Sequence, residues 1–149
     1  MSSLVHSVRR TGPSKLLLLP RLLAGGPLVA FSAMHFMNPQ HFRDILTASG
    51  APMVDLTVVA ASAAEMAAGL LLLTGFFARI GGLLGVATMI PAILTTVKFM
   101  GVPEHPFVPP LPLPVAVLVA SAVVTWLGAG AFSADRAATA AEETPAMAG

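Results

Sequence analysis

Cysteine and tyrosine are both absent from the 149-residue chain, and charge is scarce. Without cysteine there is no disulfide framework, no CxxC redox pair, no thiolate zinc site and no iron–sulfur cluster. Four-helix membrane enzymes that shuttle disulfides are therefore excluded as mechanistic models. Without tyrosine there is no phenolic acid or tyrosyl radical site. Charged residues make up 10% of the chain, against about a quarter in a soluble domain. Eight Lys and Arg against seven Asp and Glu leave a formal charge of +1, so no basic field exists for nucleic acid. Too few acids are present to solvate a globular surface of this size.

Apolar residues fill the space that charge leaves, at 56% of the chain. They fall into four segments, Leu16–Met37, Val54–Ala78, Ile80–Met100 and Leu113–Phe132. Each is close to the roughly 20 residues that cross a hydrocarbon core about 30 Å thick at about 1.5 Å per residue. Apolar–polar alternation is missing, so helices rather than a barrel satisfy the backbone. The expected fold is all-α, an integral membrane four-helix bundle in one domain. Residues 1–15 read as a basic tail, 16–132 as the membrane domain, and 133–149 as a flexible tail rich in Ala, Glu and Thr. A cleavable signal peptide is disfavoured, because Pro20 and Arg21 interrupt the Leu16–Leu19 run.

The connections carry most of the breakers. Asn38–Met53 is a loop in which Phe42, Ile45 and Leu46 stand at helical spacing, as in a short interfacial helix. A tight corner around Gly75–Gly81 holds Arg79. Five prolines, Pro103, Pro106, Pro109, Pro110 and Pro112, make Gly101–Pro112 extended. Arg9, Arg10, Lys15, Arg21, Arg79 and Arg136 fall on one side of a four-span chain, and Arg43 and Lys98 on the other. The positive-inside rule places both termini in the cytoplasm. Gly81 and Gly85 form a GxxxG pair suited to close helix packing within the chain.

Glu65 is the most informative residue. It lies near the middle of the second segment, about 14 Å below the outer boundary on the helical rise. A mid-membrane acid is costly and faces the bundle interior with a partner, either as a packing knob or as a proton or substrate site. Arg21 is the expected partner, with a depth gap of about 6 to 8 Å; the alternative is that Arg21 snorkels to the headgroups. His35, Asp55 and Lys98 lie near the outer ends of the first three segments, with His41, Glu104 and His105 on adjoining loops. Their spacing fits no compact metal motif, and metal binding is disfavoured. His35 is better suited to donate a hydrogen bond to a headgroup or a quinone carbonyl. It is also the single histidine on a span, so a bis-histidine haem is excluded. No phosphate-cradling loop or nucleophile elbow is present. The chain has no redox centre of its own, and any part in electron transfer is by holding a quinone or a redox partner.

The residues from Arg21 to Thr95 resemble the DoxX family of small four-span bacterial membrane proteins. The likeness rests on Arg21, on His35-Phe36-Met37-Asn38-Pro39 followed by Phe42, and on Gly50-Ala51-Pro52. It continues with Glu65 in Ala64-Glu65-Met66-Ala67-Ala68-Gly69-Leu70-Leu71 and with Gly75 through Arg79. The resemblance implies a multi-pass protein of the bacterial inner membrane. Founding members are named as a subunit of a thiosulfate:quinone oxidoreductase, and relatives as membrane partners in oxidoreductase complexes that counter oxidative stress. An accessory subunit of such a complex, with a quinone or a redox subunit as partner, is the leading expectation; whether the chain is itself an enzyme stays open. A structural or assembly protein, monomeric or oligomeric in the bilayer, is the alternative, and a small transporter ranks lower because no inverted repeat is visible. Arg21 and Glu65 match recurring family positions.

Overall fold

A computed structural model of the chain describes residues 14–102 and 108–143. They form six α-helices: α1 Leu18–Met37, α2 Pro39–Ser49, α3 Val54–Thr74, α4 Ala78–Phe99, α5 Pro112–Leu127 and α6 Ala134–Glu143. Among the described residues there is no strand. The basic residues Arg9 and Arg10, the loop residues Glu104 and His105, and the last six residues lie outside the described part.

The four long helices close into a ring in which α1 and α4 each pack against both α3 and α5. Many large apolar side chains point out of this ring, and small residues share its interior with a few large ones such as Leu28, Leu72 and Met89. Leu19, Leu83, Leu94 and Trp126 are exposed, whereas Ala24, Ala68, Ala78 and Ser121 are buried. That arrangement inverts the soluble pattern and suits lipid, where close backbone approach replaces the hydrophobic drive. Helices α3 and α4 are long and apolar enough to cross a membrane. Only 33% and 28% of their most apolar stretches are buried, whereas the core helix of a soluble domain is mostly buried. Helix α5 is apolar but shorter, at 16 residues.

Glycines set the close contacts. A Cβ on Gly69 would lie 3.0 Å from the Gly25 carbonyl oxygen, and one on Gly25 would lie 3.0 Å from that of Gly69, so α1 and α3 touch backbone to backbone. Gly81 faces α3, with Leu71 Cβ 2.7 Å from its virtual Cβ. Gly85 instead faces α5, where Ser121 Oγ lies 2.6 Å away. The GxxxG pair therefore packs within the chain, as expected, yet serves two different neighbours. Helix α1 continues without interruption through Gly25, Gly26 and Pro27.

The ends of the elements depart from the sequence reading in physically traceable ways. The loop after α1 is largely α2, started by Asn38, which accepts from the His41 N–H, and by Pro39 in the first turn. It stops at Gly50 in the left-handed region. Its Ile45 and Leu46 are buried, as their spacing predicts. The fourth apolar segment stops as a helix at Leu127, because Gly128 turns the chain. Residues 134–143, expected as a frayed tail, form α6. The reason is a distant cap: Asp135, buried, accepts from the Phe77 N–H at 2.8 Å and the Ala78 N–H at 3.0 Å at the start of α4. Asp135 N–H in turn donates to the Gly75 carbonyl at 3.0 Å.

Substitution at the glycines should separate packing from lipid exposure. Gly85→Leu forces α4 away from α5 and should cost about 2 to 3 kcal/mol of stability in detergent. Gly26→Ala, in open space on α1, should be neutral or stabilising by up to about 1 kcal/mol. Thermal unfolding with size-exclusion chromatography checks both; loss of self-association at unchanged stability for Gly85→Leu would place α4 at a dimer face instead.

Candidate functional site

Helices α1 and α3 run antiparallel in a register marked by the Gly25–Gly69 contact and by Ser32, whose Oγ donates to the Ser62 carbonyl at 2.6 Å. In that register Glu65 stands opposite Val29, six residues and thus about 9 Å along the axis from His35. The two side chains nevertheless meet, because Cα–Cβ bonds tilt toward a helix N-terminus. In an antiparallel pair His35 leans toward Glu65, and Glu65 leans toward His35. His35 Nδ1 lies 3.2 Å from Glu65 Oε2, an ion-pair distance.

The pair is enclosed on several sides. Glu65 is buried, and the His35 side chain keeps 22% of its surface. The Phe42 ring of α2 stacks on the imidazole, with centroids 3.9 Å apart and planes 6° from parallel. The Nδ1–Oε2 contact is close but not aligned as a hydrogen bond, so both buried atoms keep open hydrogen-bonding capacity. Ser62 Oγ, one turn from Glu65 on the same helix, does too. A carboxyl and an imidazole at this distance can share or pass a proton, and each can present it to an oxygen of a third group.

Arg21 does not join them. In the register above it stands opposite Leu73, eight residues or about 12 Å from Glu65. The same tilt turns both side chains away from each other, which corrects the expected Arg21–Glu65 pair. Nor does Arg21 snorkel, since it keeps only 2% of its surface. Its Nε donates to the Leu72 carbonyl and its Nη2 to the Leu73 carbonyl, each at 2.8 Å, while Nη1 donates to Ala129 at 3.2 Å and to Phe132. It thereby closes the C-terminal turn of α3 and ties it to the segment after α5.

Of the expected outer group His35, Asp55 and Lys98, only His35 reaches Glu65. Asp55 is exposed and takes a bidentate-like approach from Arg43, with Nε at 2.8 Å and Nη2 at 2.7 Å from Oδ1. Lys98 Nζ donates to the carbonyls of Ala48 and Ser49 at the end of α2. Both therefore hold α2 in place. Sequence reasoning missed Phe42 as the stacking partner and Asp135 as a cap. Phe42 follows His35 by seven residues across a helix break, a spacing that points nowhere until α2 is in place.

A helical chain with outward apolar faces and a buried acid–imidazole pair is a membrane protein of small, packed helices. The DoxX family model matches residues 16–98, more than half of the chain, and the chain belongs to the DoxX family. The matched stretch contains Arg21, His35, Asp55, Glu65 and Lys98, and stops short of α5 and α6. No curated protein and no solved structure matches the chain.

Double-mutant cycles on thermal stability should follow the geometry. Glu65→Gln and His35→Gln should be non-additive by about 1 kcal/mol, whereas Glu65→Gln and Arg21→Gln should add within about 0.5 kcal/mol. Strong coupling of Glu65 to Arg21 would contradict the antiparallel register.

Proposed function

We propose that this DoxX protein is an accessory subunit of a membrane oxidoreductase, without a redox centre of its own, that holds a quinone or a redox partner at the His35–Glu65 pair. The observation that supports this reading is the open hydrogen-bonding capacity of His35 Nδ1 and Glu65 Oε2 in a buried place. A quinone oxygen fits two such atoms: an imidazole N–H or a protonated carboxyl donates to a carbonyl, and a carboxylate accepts from a hydroxyl. The quinone would supply the electron transfer. The chain's residues would orient its head and hold a proton beside it.

The same reading makes the ring of long helices a four-span bundle in the bacterial inner membrane, with both termini cytoplasmic. The end that carries α6 holds Lys15, Arg21, Arg79 and Arg136, against Arg43 and Lys98 at the α2 end, as the positive-inside rule requires. Trp126, exposed at the end of α5, suits the headgroup level. Reporter fusions at Gly149 and within Gly101–Pro112 should report opposite sides; matching sides would end the four-span reading.

A structural or assembly role has one observation in its favour, the Ser32–Ser62 hydrogen bond, which shows polar groups on this interface fixing the packing. Purification in mild detergent followed by solvent extraction separates the two. The wild-type protein should carry quinone above the level of its co-purified lipid, and Glu65→Gln and His35→Ala should each lose most of it while remaining folded. Equal quinone in all three proteins would favour the structural role.

A further inference from the structure

Helix α2 is held differently from the long helices around it. Those are locked by close backbone approach at Gly25, Gly69, Gly81 and Gly82. Helix α2 is held by the buried side chains Ile45 and Leu46 and by side-chain attachments, three of which reach other helices. One is the Phe42 stack on His35, the second the Arg43–Asp55 pair, and the third the Lys98 bonds to Ala48 and Ser49. The last two lie at the surface, where water competes for every partner. At one flank stands Asn38, with φ −134° and ψ 70°. At the other stand Gly50 and Met53, at φ 81° and 48°, both in the left-handed region. Two irregular flanks around a short helix are what a hinged segment requires.

What α2 covers is the pair itself. Phe42 lies flat on the more exposed member, His35, and Glu65 sits behind it, nearly sealed. The charged surroundings are sparse. Helix α3 adds Asp55 at its first turn, which is already engaged with Arg43. Helix α2 adds His41, Arg43 and Asp44, and α4 adds Lys98, which is engaged with the α2 carbonyls. Helix α5 carries no titratable residue, and besides His35 itself α1 carries only Arg21, bonded at the opposite end. Among the described residues, what stands between the α2 end of the molecule and Glu65 is not a charged side chain but the aromatic ring of Phe42 on α2.

We propose that α2 is a lid. It swings about Asn38 and the Gly50–Met53 turn, lifts Phe42 from His35, and so controls whether water, protons or a polar ligand head reach Glu65 and Ser62 from that end. This rests on reading the His35–Glu65 pair as the working site and names how access to it is governed. The motion belongs to the class of local openings that leave the packed core intact.

The absence of cysteine makes the test clean, since one introduced thiol is the only thiol. Ser62→Cys places it beside Glu65, and Ser121→Cys places a control in the α4–α5 interface, where Ser121 is fully buried. The full chain, reconstituted in phosphatidylcholine vesicles, is treated with the membrane-impermeant reagent methanethiosulfonate-ethyltrimethylammonium. With α2 intact both thiols should react slowly. Asp55→Asn, which touches only an exposed tether, should speed Ser62→Cys labelling, and adding Phe42→Ala should bring the gain to about tenfold or more. Ser121→Cys should stay slow in both backgrounds. An unchanged Ser62→Cys rate overturns the lid, and so does a parallel rise at Ser121→Cys, which would mean general loosening. The reagent reads access without any ligand, so failure here leaves the quinone reading standing. Gated labelling in a protein that holds no quinone would instead defeat that reading alone.

Discussion

Backbone carbonyls at the ends of helices have no partner within the helix, and an apolar surround offers no water to replace one. The structure meets this constraint with side chains from other helices. Arg21 serves the last turn of α3 together with the segment after α5, Arg79 donates to the Thr125 and Trp126 carbonyls at the end of α5, and Lys98 serves the end of α2. Asp135 does the reciprocal work at the N-terminus of α4. A cation at a helix C-terminus and an anion at an N-terminus also oppose the helix dipole favourably. Arg21 is the most heavily engaged of these groups, joining α1, α3 and the chain after α5 in one cluster.

This use of charge divides the molecule. At the α6 end, charges are consumed in fastening helices to one another, and Gly75 keeps room for the guanidinium: a Cβ there would fall 2.6 Å from Arg21 Nη2. At the α2 end, Glu65 and His35 face each other with hydrogen-bonding capacity still open. Arg21 spends its donors on backbone carbonyls, whereas the neighbour of Glu65 is an imidazole 3.2 Å away. That difference is the ground for proposing the pair, and not Arg21, as the place for chemistry in this chain.

The four apolar segments, the corner at Gly75 and the side of α2 that carries Phe42 and the buried Ile45 and Leu46 are legible from periodicity and length. The intramolecular packing of Gly81 and Gly85 was legible too, though not that they serve different helices. Glu65 stands out by its depth, but its partner does not follow from depth along Cα positions, which leaves out the tilt of the side chains. That tilt lets two residues about 9 Å apart in level meet, and keeps two about 12 Å apart from doing so. Helix α6 was not legible at all. Its anchor, Asp135, lies 57 residues from Ala78 in sequence, and nothing in the run of alanines around it signals that contact.

On the proposed reading, Arg21 fastens the fold while Glu65 serves the site. Thermal unfolding of Arg21→Gln and Glu65→Gln in the same mild detergent tests it most directly. Loss of Arg21 strands buried carbonyls of α3 and of the chain after α5, and should lower stability by about 3 to 5 kcal/mol. Glu65→Gln keeps the shape and a hydrogen-bonding amide, and should change it by no more than about 1 kcal/mol. A tolerated Arg21→Gln alongside a collapsed Glu65→Gln would contradict the account.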